Sequence, residues 1–227
     1  MMIGILLALQ VNEWNTARTN KQLEQEYYCR LLEDIVQDSI QLYRLLEENE
    51  YRIENSNALL AILQKPQPSR EEVTDKMGGS VSKTVFVFKP HTAAFEDLKS
   101  SGNLNIIRDF QVKNELIDYY STLEGYRAVV LVNSEGAVNT LYNQDNDFVD
   151  MGWQTRSFVR EALDTTIVNL DALNAGPYMT DQLRKKLTSD ALFYLNTNAR
   201  KKLLYGQMAD VIKDMKLVML QKCPLGT

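Results

Sequence analysis

Residues 16–63, TARTNKQLEQEYYCRLLEDIVQDSIQLYRLLEENEYRIENSNALLAIL, contain neither glycine nor proline, and they decide the fold. Apolar side chains recur along this stretch mostly in steps of three, four or seven, as at Leu31, Ile35, Leu42 and Leu46. Because an α-helix has 3.6 residues per turn, this spacing places the apolar side chains on one face. The stretch therefore predicts one long amphipathic helix, which ends before the two prolines of KPQP at 65–68.

The segment after these prolines predicts a short helix and an extended connector. Ser69 is a suitable N-cap, and the GGS triplet at 78–80 is expected to end the short helix. The run TVFVF at 84–88 has strand propensity but no partner strand, so we interpret it as an extended connector. A second short helix follows Thr92, with Gly102 in its left-handed cap.

Three more long helices are predicted in the rest of the chain. They cover about 110–143, 153–172 and 181–223, with Asp109 capping the first of them. The helix at 153–172 is expected to present a core face of Phe158, Leu163, Ile167 and Leu170. The predicted fold is all-α, an elongated up-down bundle of about four main helices, with a short helix and an extended connector between the first two long helices.

Composition excludes some function classes. A net charge of −5, with basic residues interspersed among acidic ones, argues against nucleic-acid binding, which needs clustered Lys and Arg. The two cysteines, Cys29 and Cys223, form no CxxC motif and no metal-ligand spacing. A disulfide between them is left open, because antiparallel first and last helices would bring both to the same end and an extracytoplasmic compartment would permit oxidation.

The first residues, MMIGILLALQV at 1–11, resemble the end of a membrane-spanning helix. Trp14 follows among the first polar residues, at the position of an interfacial aromatic side chain. Eleven helical residues cover about 16 Å, roughly half of the hydrocarbon thickness, so the expectation is a span that begins upstream. A secretory signal peptide and a helix end buried on the same domain are the alternatives.

Two stretches resemble an uncharacterised family of Bacteroidota-type bacteria, the domain of unknown function numbered 6090. They are IGILLALQVNEWN at 3–15, and AAFEDLKSSGNLNIIRD at 93–109 leading into VKNELIDYY at 112–120. The resemblance implies an inner-membrane protein with a single N-terminal span and a helical domain on the periplasmic side. Residues 1–14 would then be the end of the span and the interface, and residues 15–227 the extracytoplasmic domain. The family carries no activity to transfer, and in it a basic N-terminal segment and a full membrane helix precede the part that this sequence resembles.

The second stretch also supplies a family-like motif, Phe95, Leu98, Ser101, Gly102, Leu104 and Ile107. This motif can mark a functional site. The residues alone favour a structural role, as a capped helix and a turn whose apolar side chains fill the bundle.

Candidate catalytic and metal-binding residues are few. Asp145, Asp147 and Asp150 suggest a metal site, but an EF-hand needs Gly and Glu where this loop has Asp150 and Arg156. We interpret 145–150 as a solvated acidic loop. His91 is the only histidine, which leaves no second one for a metal site, and a structural role is favoured over a triad.

Tyrosine is unusually frequent, with 11 residues in the chain. Several fall on the two longest predicted helices, where they pack a core or line a ligand cleft: Tyr27, Tyr28, Tyr43, Tyr51, Tyr119, Tyr120 and Tyr126. The leading functional prediction is a membrane-tethered, non-enzymatic module for protein interaction or self-association, without cofactor. The alternative is an extracytoplasmic ligand-sensing bundle with a Tyr-lined pocket, and an enzyme with a metal at 145–150 is the third hypothesis.

Overall fold

A computed structural model describes residues 2–143, 148–176 and 178–223, and its regular elements in these ranges are all helical, so the all-α prediction is confirmed. The helices are α1 (Met2–Leu63), α2 (Arg70–Val81), α3 (Ala93–Ser100), α4 (Phe110–Tyr142), α5 (Phe148–Met151), α6 (Ser157–Ala162), α7 (Leu170–Asn174) and α8 (Asp181–Lys222). Short 3-10 turns cover Asn103–Ile106 and Trp153–Thr155.

The chain divides into two compact units. Unit 1 comprises Met1–Tyr43, Phe88–Arg127 and Gly206–Thr227, and unit 2 comprises Arg44–Val87 and Ala128–Tyr205. The helices α1, α4 and α8 each contribute residues to both units. The boundary predicted at residue 14 lies inside α1, within the first segment of unit 1.

The predicted membrane span is wrong. Within the described ranges, no helix has a stretch that is both long enough and apolar enough to cross a bilayer. In α1, Gln10 interrupts the apolar residues, and the polar Asn12 and Glu13 follow them. The predicted localisation, an inner-membrane protein with a single span and a periplasmic domain, is therefore wrong.

Unit 1 has an apolar core and one covalent cross-link. Cys29 on α1 and Cys223, directly after α8, form a disulfide with their Cα atoms 4.9 Å apart. This pairing answers the question that the sequence leaves open. The core consists of buried side chains from all three segments of the unit: Leu31, Ile35, Leu42, Phe88, Leu98, Ile107, Leu116, Leu123, Met208, Ile212 and Met219.

Unit 2 packs α2 against α1 and α8. Ser69 is the N-cap of α2 and accepts a hydrogen bond from the amide of Glu72, as predicted. The helix does not end at the GGS triplet, however, but continues to Val81 with Gly78, Gly79 and Ser80 buried. A Cβ atom on Gly79 would lie 2.6 Å from the Asn55 side chain of α1, so glycine here permits close helix packing instead of ending the helix.

The predicted helix at 153–172 is also wrong. The structure has a 3-10 turn, α6, an irregular stretch and α7 in this region. Phe158 and Ile167, which were expected in the core, are 56% and 81% exposed.

Local side-chain hydrogen bonds explain the break. Asp164 Oδ1 accepts from the amide and the hydroxyl of Thr166, and Asn169 Oδ1 accepts from the amide of Asp171. Short polar side chains that bond nearby backbone compete with a continuous helix. The apolar spacing of 153–172 therefore does not translate into one helical face.

Candidate functional site

The family-like motif lies beside a cavity of about 600 Å³ in unit 1. The residues before α3, α3 itself, the following 3-10 turn and α4 all contribute to its wall. The lining side chains are Lys89, Pro90, Thr92, Phe95, Glu96, Lys99, Leu104, Ile117, Tyr120, Ser121, Glu124 and Arg127. A cavity of this size is within the range of small-molecule sites, about 300–1,000 Å³.

The motif residues divide between the cavity and the core. Phe95 and Leu104 line the cavity, whereas Leu98 and Ile107 are buried and 0% and 1% exposed. Ser101 donates its hydroxyl to the Asp97 carbonyl over 2.6 Å, and Gly102 has a φ of 72° that closes α3. Ser101 and Gly102 thus end α3, as the sequence predicted.

Aromatic rings form one wall of the cavity. The rings of Phe95 and Tyr120 stack with their centroids 4.4 Å apart, and Lys99 Nζ lies 5.4 Å from the Phe95 centroid. Tyr120 is 7% exposed, and its hydroxyl oxygen has no hydrogen-bond partner among the described residues. Burial, together with the nearby carboxylate of Asp34, raises the pKa of Tyr120 well above its usual value. The hydroxyl is therefore protonated, and among the described residues it donates no hydrogen bond.

Three polar side chains of α1 fix the segment that enters α3. Gln41 accepts from the Lys89 amide over 2.7 Å and donates to the Lys89 carbonyl over 3.2 Å. Asp38 accepts from the His91 amide over 2.7 Å, and Asp34 accepts from the Ala94 amide over 2.9 Å. Thr92 occupies the N-cap position of α3 without a side-chain cap bond, so Asp34 satisfies the helix start from another helix.

The Asp38 carboxylate is completely buried, and both of its oxygens are hydrogen-bonded. It accepts from the Tyr119 hydroxyl over 2.6 Å and is paired with His91 Nδ1 at 2.8 Å, in addition to the His91 amide. Burial raises the pKa of Asp38, and these hydrogen bonds oppose the rise. A His–Asp pair can act as a base, but His91 does not line the cavity. The pair is best explained as an anchor for the segment at 89–94.

The rim of the cavity carries charges of both signs. Lys99 pairs with Glu96 at 3.1 Å, and Arg127 pairs with Glu124 at 2.5 Å. Lys89 has no ion-pair partner within the part of the chain that the structure describes. Among the described residues, the rim therefore has one cation, Lys89, that no carboxylate pairs with.

Among the described residues of unit 2, two cations are buried and no carboxylate is. Arg52 and Lys201 are each 1% exposed; Arg52 donates to the Ser82 carbonyl, and Lys201 donates to the carbonyl and hydroxyl of Thr84. These acceptors follow the C-terminal end of α2, where a helix dipole favours positive charge. Burial, followed by the charge of Arg52, lowers the pKa of Lys201 to about 7. We interpret this cluster as a cap for α2.

The remaining sequence candidates do not form a site in the described residues. Asp145 and Asp147 lie outside them, so neither the predicted acidic loop nor its alternative, a metal site, is described there, and Asp150 lies in α5. In the ranges that the structure covers, no three His, Cys, Asp or Glu residues are placed to hold a metal ion. Trp14 is 64% exposed, with the Arg18 guanidinium 5.8 Å from its ring centroid.

Sequence reasoning missed most of this site. Asp34, Asp38 and Gln41 are polar residues at i, i+4 and i+7 of α1, a spacing that indicates one shared face. This spacing predicts that the three side chains share a face of α1, but it does not show that they bind the segment at 89–94. Of the tyrosines considered for a ligand pocket, Tyr120 lines the cavity, whereas Tyr43 and Tyr51 are exposed.

Comparisons with known proteins find no match: no family model, no curated protein and no solved structure is similar to this chain. The resemblance to the uncharacterised family therefore stays a prediction based on the motif residues. Any functional conclusion has to come from the geometry of the cavity.

Proposed function

We propose that this chain is a non-enzymatic helical module that binds a small amphipathic molecule in the cavity of unit 1. The single observation that carries the proposal is the cavity of about 600 Å³, whose wall is a buried aromatic stack and whose rim is charged. Such a combination of apolar wall and few polar groups is typical of small-molecule sites.

The wall is held in place independently of a ligand. Gln41, Asp38 and Asp34 fix the backbone of 89–94 from α1, so Lys89 and the start of α3 occupy defined positions. A preformed site loses little conformational entropy on binding. This preorganisation supports a binding role in preference to simple core packing.

The proposal can be tested with a variant that fills the cavity. Ser121 lines the cavity from α4 and is exposed, so Ser121→Trp should place an indole ring in the ligand volume without disturbing the core. The matched control is Asn114→Trp, an exposed position on the same helix outside the cavity. In a ligand-observed NMR screen of aromatic fragments, hits should bind wild type and Asn114→Trp but lose their signal with Ser121→Trp. Hits that bind all three proteins equally would contradict the proposal.

A protein-interaction or self-association role is a second candidate. It is supported by Phe86 and Val85, which follow α2 in unit 2 and are 66% and 44% exposed. For self-association, sedimentation velocity over a concentration series should show an oligomer that Phe86→Ser dissociates and Phe158→Ser, at another exposed aromatic residue of unit 2, does not. A monomer at all concentrations would exclude self-association.

The up-down bundle of about four main helices stays part of the proposal. It is supported by three long helices, α1, α4 and α8, whereas the fourth predicted member is replaced by short helices.

A further inference from the structure

The charges around the cavity of unit 1 select among possible ligands. Three cationic side chains, Lys89, Lys99 and Arg127, and two carboxylates, Glu96 and Glu124, line it. Two of the cations are already paired with the two carboxylates, at 3.1 and 2.5 Å. Of the three cations, Lys89 has no ion-pair partner among the described residues, so its charge can pair with a ligand.

Lys89 is well placed for this role because its backbone is fixed on both sides. The Gln41 side chain bonds both the amide and the carbonyl of Lys89, and Pro90, which follows, restricts the backbone further. The side chain is exposed at the cavity wall, so its ammonium group can reach an anion there without a large desolvation cost.

The apolar part of the cavity requires a matching apolar body. Ile117 and Leu104 line the cavity next to the Phe95–Tyr120 stack. Ile117 is 43% exposed and Leu104 is half-buried, so both present apolar surface to the cavity. An aromatic or branched aliphatic group in this space would cover these side chains and remove their apolar surface from water, which favours binding. Aromatic rings would also gain from stacking.

We infer that the cavity takes a monoanionic amphipath, a carboxylic acid with an aromatic or apolar body, whose carboxylate pairs with Lys89. This inference rests on the proposed binding function and gives its ligand class. A phosphate monoester is disfavoured because its charge of about −1.5 to −2 exceeds the one positive charge of Lys89. A cationic ligand would be repelled by the ammonium of Lys89.

The test uses three probes with one body and three head groups. They are 4-phenylbutyrate, 4-phenylbutan-1-ol and 4-phenylbutylamine, titrated into the full chain at neutral pH and low salt by calorimetry or NMR. The acid should bind about three- to tenfold more tightly than the alcohol, and the amine most weakly, because a partly exposed ion pair contributes about 1 kcal/mol. Added salt should weaken only the acid, since salt screens charges.

Lys89→Gln should reduce the ratio of acid to alcohol affinity to about one. The matched control is Lys113→Gln, because the Lys113 ammonium lies 5.7 Å from the Phe110 ring centroid and does not line the cavity, so this variant should keep the ratio. Equal affinity for all three probes, or a preference for the amine, would overturn the ligand class while the binding function stands. Failure of every probe to bind would contradict the binding function as well.

Discussion

The Tyr119 hydroxyl of α4 donates to the buried Asp38 carboxylate of α1 over 2.6 Å, and the same carboxylate accepts from the His91 amide. One carboxylate thereby joins two helices to the segment that forms the cavity wall. Tyr119→Phe should lower the free energy of unfolding by about 1–3 kcal/mol, because it leaves a buried carboxylate with one donor fewer. Urea unfolding measures this change. Tyr43→Phe, at a side chain that is 65% exposed, should have no effect; an equal loss in both variants would contradict the account of Asp38.

The pH dependence of stability should report the buried Lys201. Its pKa is about 7 in the folded chain, against 10.5 for an ordinary lysine, so the unfolded chain binds more protons between these values. The free energy of unfolding should therefore rise from about pH 7 to about pH 10.5, and the cost of the buried ammonium should be fully present below the folded pKa.

Lys201→Met should flatten this rise in thermal unfolding measured across the pH range. Lys202→Met is the matched control, since Lys202 is exposed and pairs with Glu50 at 2.7 Å. It should leave the slope unchanged. A slope that is the same in wild type and Lys201→Met would show that another group is responsible.

The disulfide should contribute strongly to stability. Cys29 and Cys223 are 194 residues apart in the sequence, and cross-linking a loop of this length removes unfolded-state entropy that corresponds to about 5 kcal/mol in the chain-entropy model. A reducing agent should lower the midpoint of urea unfolding in wild type. The double variant Cys29→Ala, Cys223→Ala should start at that lower midpoint and not respond to the reductant. Two free thiols in the oxidised native protein would contradict the pairing.

Replacing glycine by alanine should have opposite effects on stability at two helical positions. Gly79→Ala should destabilise unit 2, because the new Cβ would lie 2.6 Å from Asn55 and α2 would have to move away from α1. Gly125→Ala in α4 meets no atom within 4 Å and should stabilise the chain by about 1 kcal/mol, the difference in helix propensity. Thermal unfolding of both variants tests this contrast. Stabilisation by Gly79→Ala would show that close packing is not the reason for that glycine.

Much of the fold was predictable because long helices have strong periodicity. The prediction for 16–63 falls within α1, and those for 110–143 and 181–223 match α4 and α8 to within a residue or two. The failures were local. Conformational preference alone predicts a helix end at the GGS triplet, whereas Gly79 packs against Asn55 of α1. In the region 153–172, hydrogen bonds of Asp164 and Asn169 interrupt the predicted helix.

The site was less predictable because its contacts are distant in sequence. Phe95 and Leu104 were identified through the motif, but Asp38 and Tyr119 are 81 residues apart and no local pattern relates them. The same holds for Cys29 and Cys223, because their separation of 194 residues in the sequence does not predict how far apart they lie in the fold. A single sequence shows which residues share a face and leaves open what each face contacts.

The most direct test of the central claim is methyl NMR of the full chain with 4-phenylbutyrate and 4-phenylbutan-1-ol. The cavity account predicts that chemical shifts change at Ile117 and Leu104, and that Ile62 and Leu187, in the core of unit 2, do not respond. Unchanged Ile117 and Leu104 signals at high probe concentration, or equal shifts at all four residues, would contradict the assignment of this cavity as the binding site.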